Sequence, residues 1–341
     1  MLSVRDLRKR YGDLVALDGV SFEVEKGDIL GFLGQNGAGK STTMKIITGF
    51  IPPSSGTAIV DGYDVTRDSL EVRRRIGYLP EQTPLYAEMR VREYLDFRAR
   101  LKGVPRRDVA KRVDYSMEML ALGDRARQLI GTLSKGYRQR VGIADAIVAD
   151  PKLLILDEPT IGLDPNQIRE VRALIKDLGE QHTIVFSTHI LAEVEMVCSK
   201  VVIIGQGRSL LQGTIKSVVE QYQGNSLRLA LRARDATIDE VEKALLSVAG
   251  IKNAKEQTGD GGTEIVHFRL EVDAESDREA AVRAAAERVA ARVVEKGWAI
   301  RELVPERTTL ENVFFRLTMT EPEAPATPLV GAGTAAPGGS S

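Results

Sequence analysis

Asp28-Ile29-Leu30-Gly31-Phe32-Leu33-Gly34-Gln35-Asn36-Gly37-Ala38-Gly39-Lys40-Ser41-Thr42 is the stretch from which the rest of the chain is read. A buried strand runs into a glycine-rich turn, and Lys40 to Ile47 then follow in a helical pattern. The turn fits G-x-x-x-x-G-K-[ST] in the strand-to-helix setting that the motif needs. Its glycines let backbone N–H groups turn inward around phosphate oxygens, and the helix start adds partial positive charge. Gly34, Gln35, Asn36, Gly37, Ala38, Gly39, Lys40, Ser41 and Thr42 are therefore expected to cradle the phosphates of ATP. Lys40 would reach the β and γ phosphates and the Ser41 hydroxyl would ligate Mg²⁺.

Working outward, Leu153-Leu154-Ile155-Leu156 is an apolar strand that delivers Asp157 and Glu158 at its C-terminal end, where ligands bind in open α/β sheets. Asp157 would hold Mg²⁺, directly or through water, and Glu158 would polarise the water that attacks the γ-phosphate. Thr183-Ile184-Val185-Phe186-Ser187 reads as a third strand. From Met1 to about Gln223 short apolar runs alternate with helical patterns, which implies an α/β unit with a largely parallel sheet. Between Arg90 and Ala149 the pattern is helical, so a helical subdomain is expected there.

Between the two acidic and basic motifs lies Leu133-Ser134-Lys135-Gly136-Tyr137-Arg138-Gln139-Arg140, which resembles the LSGGQ signature of ABC ATPases. The remaining motifs stand in that family's order, with Tyr11 upstream, Asp164 just after Glu158, and His189 in Ser187-Thr188-His189. The resemblance covers roughly Met1 to Gly213 and implies a P-loop NTPase core of the ABC ATPase type. It further implies that Tyr11 stacks on adenine and that Ser134 and Gly136 contact the γ-phosphate bound by an opposite subunit. By the same resemblance Asp164 communicates between the two sites and His189 senses the γ-phosphate. Tyr11 also suits a surface strand end, and His189 a satisfied structural imidazole; His182 and His267 lie in no motif and are read as structural. Two motifs depart from the family pattern. Lys135 and Tyr137 stand where it has Gly and Gln, and Glu81 follows Pro80 where it has Gln, leaving open whether Glu81 faces the metal or Gln82 takes that role.

A second unit follows. Leu227, Leu229 and Leu231 alternate with Arg228, Ala230 and Arg232, and Ile238, Val241, Leu245 and Val248 share a helical face. A hairpin of 251–256 and 263–272 around Asp260-Gly261-Gly262, a helix from Asp277 to Glu295 and a strand near Trp298 to Val304 complete the order βαββαβ, a ferredoxin-like α+β domain over 226–317. Thr308 and Glu311 are expected to cap a terminal helix. Residues 320–341 are rich in Pro, Ala, Gly, Thr and Ser and are expected to be disordered.

With 47 basic and 48 acidic residues among 341, a nucleic-acid partner is not expected. The single cysteine, Cys198, suits a reducing compartment and excludes an intrachain disulfide. No run reaches the length of a membrane span, and the first residues carry no apolar signal-peptide core, so a cytoplasmic location is expected. One phosphate loop and one signature cannot complete a site of the family's kind, so the expected partner is a second cassette, as a homodimer. The small C-terminal domain and the segment 305–314 resemble those of cassettes in the ABC-2 exporter group, which implies a separate transmembrane permease docking near the Glu81 loop and the helical subdomain, with the chain peripheral on the inner face of the membrane. A membrane-complex regulator and a ribosome- or DNA-acting ATPase are the alternatives.

Overall fold

The computed structural model describes residues 1–234, 236–257, 265–274, 278–306 and 308–319. Its first unit comprises β1 (Leu2–Tyr11), β2 (Leu14–Val24), β3 (Ile29–Gly34), α1 (Lys40–Ile47), β4 (Ser55–Val60), β5 (Tyr63–Asp64), α2 (Ser69–Arg75) and β6 (Ile76–Leu79). Then come α3 (Val91–Leu101), α4 (Val109–Met119), α5 (Lys135–Ile147), β7 (Leu153–Asp157), α6 (Pro165–Gly179), β8 (Thr183–Thr188), α7 (Leu191–Val197), β9 (Lys200–Gly205), β10 (Arg208–Thr214) and α8 (Ile215–Gln221).

The central sheet has the order β10-β9-β3-β8-β7-β6, parallel except for the edge strand β10. Every residue of β7 and β8 is buried, as strands covered on both faces require. The two-residue period of a strand divides β7 between two cores. Leu153 and Ile155 join Leu2, Val4, Leu7 and Phe22 of an antiparallel sheet ordered β2-β1-β4-β5, whereas Leu154 and Leu156 join Val141, Ile143, Val171 and Ile175 on the helical side. The segment 90–149 is helical as expected. There Arg98 holds Asp145 with two hydrogen bonds, at 2.9 and 3.0 Å, and Lys102 adds an ion pair at 3.0 Å. Burial pushes the Lys102 ammonium below its usual range.

The second unit consists of β11 (Ser226–Arg232), α9 (Ile238–Leu246), β12 (Ile251–Gln257), β13 (Val266–Val272), α10 (Arg278–Glu295) and β14 (Ala299–Pro305). Its antiparallel sheet is ordered β12-β13-β11-β14, the ferredoxin-like arrangement of βαββαβ. Leu227, Leu229, Leu231, Phe268, Leu270 and Val272 face α9 and α10 in one core. The expected turn at 260–262, the helix start at 277 and the tail 320–341 lie outside the described residues.

The chain then returns. Helix α11 (Leu310–Met319) lays Leu310, Val313 and Phe314 against Leu33, Val194, Val201, Ile203 and Val218 of the first unit. Its cap is Thr309 with Asn312, one residue beyond the expected Thr308 and Glu311: Asn312 N–H donates to Thr309 Oγ1, and Thr309 N–H to Asn312 Oδ1. Thr308 instead accepts from the Gly224 N–H at 3.3 Å and donates to the Tyr222 carbonyl at 3.2 Å, which pins the exit of the second unit to its entrance.

Candidate active site

Three parallel strands end beside one another, and each hands over a charged side chain. After β3 the chain turns through 35–39 into α1. Gly39 has φ +105°, and a Cβ there would lie 2.6 Å from Leu17 Cδ2 and 3.0 Å from the Ala16 carbonyl, so only glycine fits the turn. The turn places Lys40 at the first position of α1, 6% exposed. Lys40 Nζ donates to the carbonyls of Gly34 at 2.8 Å and Gln35 at 3.2 Å, and stands 3.3 Å from Glu158 Oε1.

Glu158 follows β7 and takes φ +50°, a left-handed conformation that costs a non-glycine residue energy and concentrates at functional sites. Two bonds hold it there, since its N–H donates to the Ser187 carbonyl and hydroxyl, both at 3.1 Å. Its Oε2 is 2.9 Å from Nδ1 of His189, the residue after β8. Lys40, Glu158 and His189 thus form one line of contacts. A buried Lys–Glu pair is tolerable only when its remaining groups are satisfied, and the two carbonyls and the imidazole satisfy them.

Next to this line, Asp157 Oδ1 accepts from the Ser187 hydroxyl and lies 3.5 Å from Ser41 Oγ. A hydroxyl and a carboxylate are hard oxygen donors that suit Mg²⁺. Among the described residues no three His, Cys, Asp or Glu side chains converge. A cation held by Ser41 and Asp157 would therefore complete its shell with phosphate and water oxygens, as Mg²⁺ in nucleotide sites does. Burial first, then the charges of Asp157 and Glu81, push the Tyr78 phenol well above its usual range.

Ser134 and Asp164 belong to a second cluster. Ser134 is the exposed N-cap of α5, its hydroxyl accepting from Tyr137 N–H at 3.4 Å. Asp164 caps α6, with Oδ1 accepting from the N–H groups of Asn166 and Gln167 at 3.0 Å each. Gly136 touches the Gln167 amide so closely that a Cβ would lie 2.6 Å from its oxygen. The departures from the family pattern acquire contacts here. Lys135 reaches across Gly162 in the loop before Asp164, and the guanidinium groups of Arg125 and Arg140 stand 5.0 and 5.7 Å from the Tyr137 ring centre.

Tyr11, half exposed, ends β1 with the Lys9 ammonium 5.2 Å from its ring. Glu81 is exposed beyond β6. Among the described residues neither is joined to the two clusters by a hydrogen bond or ion pair. His182 is buried and bonded to the Pro151 carbonyl at 2.8 Å, in keeping with a structural residue. Sequence reasoning passed over Ser187, although a hydroxyl at the end of a fully buried strand next to two acids must find a polar partner.

A family model described as "ABC transporter" matches residues 17–161. The chain is 36% identical to the ABC transporter ATP-binding protein NatA of Bacillus subtilis (strain 168) over 233 residues, covering 67% of this chain and 95% of that protein. It is 34% identical to the linearmycin resistance ATP-binding protein LnrL of the same organism over 228 residues, 67% and 73% of the two chains. A solved dimeric bacterial ABC transporter cassette, 25% identical, aligns with a TM-score of 0.58 over 63% of this chain and 98% of its own.

Proposed function

This chain belongs to the ABC transporter ATP-binding family, an ATPase that binds and hydrolyses ATP, and on that premise we propose how its residues divide the work. The observation that carries the reading is the contact line Lys40–Glu158–His189 beside Ser41 and Asp157 at the strand ends. The phosphate loop 34–42 cradles the phosphates and Lys40 neutralises the β and γ oxygens. Ser41 and Asp157 would hold Mg²⁺, with Glu81 or Gln82 of the loop after β6 as the candidate further donor. Bound there, the ion withdraws charge from the phosphates and orients them. Glu158 takes the proton of the attacking water, and His189, which can hydrogen-bond to both Glu158 and a phosphoryl oxygen, reports the γ-phosphate to it. Tyr11 stacks on adenine.

Ser134 and Gly136 act on nucleotide held by a second copy, with Asp164 beside the junction. Two chains pair head to tail around two ATP molecules, and ATP drives closure because only the closed pair makes both sets of contacts. Residues 1–223, with α11 packed back onto them, form the cassette, and 226–306 form an accessory unit that supports the pair; the expected boundary at 317 is thereby moved back. A separate permease docks on the helical subdomain, where a groove of about 580 Å³ lined by Met89, Arg90, Asp96, Phe97 and Arg100 stands beside exposed Tyr86 and Leu101. The chain then sits on the inner face of the membrane through that permease and serves export, as the resistance-named relative suggests.

Steady-state MgATP hydrolysis with native sizing tests this. Glu158→Gln should lower turnover about 10²–10⁴-fold, the range for a lost general base, and trap an ATP-bound dimer. A variant that remained monomeric in saturating MgATP would overturn the mechanism. Recovery of a polytopic membrane protein with the chain supports the permease; salt-sensitive RNA binding would count against it.

A further inference from the structure

Helix α7 carries a carboxylate that the reading above does not use. Glu193 is wholly buried, where a leucine would avoid the cost of burying a charge. Its Oε2 accepts from the Thr188 hydroxyl at 2.7 Å, and its Oε1 from Arg172 Nη2 of α6 at 3.3 Å. The same Thr188 hydroxyl oxygen accepts from the Ile190 N–H at 3.0 Å. Thr188 and Ile190 are the two neighbours of His189. A single hydroxyl, oriented by Glu193, therefore ties together the backbone on both sides of the imidazole that meets Glu158.

The bland alternative is an acid in the first turn of α7 that merely complements the helix dipole. That role would be filled by a surface carboxylate and does not require total burial, nor both oxygens directed at Thr188 and Arg172. Arg172 also lies on the helix that Asp164 caps, so the contact joins the element that carries the signature-side loop to the segment that carries His189.

We propose that Glu193 and Thr188 are positioning residues for His189, holding its imidazole in the geometry that ATP hydrolysis needs. The inference rests on the role given to His189 above. The test is steady-state MgATP hydrolysis by the full chain. Thr188→Val should lower kcat about tenfold with KM within about twofold, the pattern of an interaction used only in the transition state. Thr188→Ser, which keeps the hydroxyl, should recover kcat to within about twofold. In a His189→Ala background Thr188→Val should cost less than about twofold more, because residues acting through one group are not additive. Glu193→Leu, which preserves volume, should match Thr188→Val. Normal kcat in Thr188→Val and Glu193→Leu alongside a defective His189→Ala would overturn this inference alone, as would the same loss in both backgrounds. A fully active His189→Ala would overturn the reading beneath it.

Discussion

The phosphate-loop cluster and the signature cluster use similar parts in opposite ways. Lys40 and Glu158 are buried and saturated by partners within the chain, whereas Ser134 stands exposed and caps only its own helix. The first, the proposed catalytic half-site, has buried charges that must be neutralised whether or not nucleotide is present. The second presents a hydroxyl outward and has a use only if something else approaches it. On the proposed reading, a chain carrying one of each supplies half of two sites.

The strongest way to break this contrast is Lys40→Met. Turnover should fall about 10²–10³-fold, as for loss of one preorganised donor to a developing anion. The fold should weaken too, by about 3 kcal/mol, because Glu158 stays buried without its cation. Equal melting temperatures in a thermal scan would show that the cluster is less tightly paired than its geometry says.

Ser134→Ala should lower turnover about 10-fold or more, yet cost only about 0.5–1 kcal/mol as a lost helix cap. The two variants together sharpen the comparison. Each is defective as a homodimer, but a mixed dimer contains one site with both defects and one with neither. Mixing them equally should restore about a quarter of wild-type activity if the pair is head to tail and exchanges freely. Failure of the mixture to exceed either variant would reject a shared site.

A smaller effect is expected from the accessory unit. Gly224 and Thr308 are hydrogen-bonded, so residues 226–306 can be replaced by a short linker that leaves α11 in place. MgATP-dependent pairing on native sizing should weaken, while hydrolysis at chain concentrations that saturate the pair stays within about twofold, since closing a short loop costs little. Removing α11 as well should lower stability, which differential scanning would record.

The smallest effect belongs to the opposite end of β7, where Lys152 precedes the strand, and it serves as a control for both clusters. A hydrogen bond from Lys152, against the opposing effect of burial and with help from Arg75, holds the Asp61 carboxyl below the usual carboxylate range. A carboxylate whose folded pKa lies below its unfolded one stabilises above the unfolded value, and that contribution disappears as pH falls through the folded one. Asp61→Asn should therefore melt lower than wild type at neutral pH, and the two curves should converge on acidification while turnover at pH 7 is unchanged. Parallel curves down to the acid limit would dismiss the pair as a source of stability.

Much of the fold was legible because the central strands are continuous apolar runs and the phosphate loop needs residue types that few other structures demand. Lys40, Asp157 and Glu158 were legible for the same reason. Four features were not. The Lys40–Glu158–His189 line joins residues far apart in sequence, and no local period reports such contacts. The cap of α11 was misread because Thr308 and Thr309 are adjacent and each has a partner three residues on; the structure uses Thr308 to fasten the neck of the accessory unit instead. Leu310, Val313 and Phe314 announce an apolar face, but what covers such a face is a tertiary fact. Lys135 and Tyr137 looked like losses from the signature, and only Gly162, Arg125 and Arg140 show what occupies those side chains.

Helix α11 also sets a timetable for synthesis. Val218 and Leu310 share one core, with the whole accessory unit encoded between them. At ribosomal rates those roughly ninety residues take about 5–20 s. For that interval the apolar patch beside Leu33 and Val194 is uncovered on a nascent cassette, open to a chaperone or to the wrong neighbour, until α11 emerges to close it.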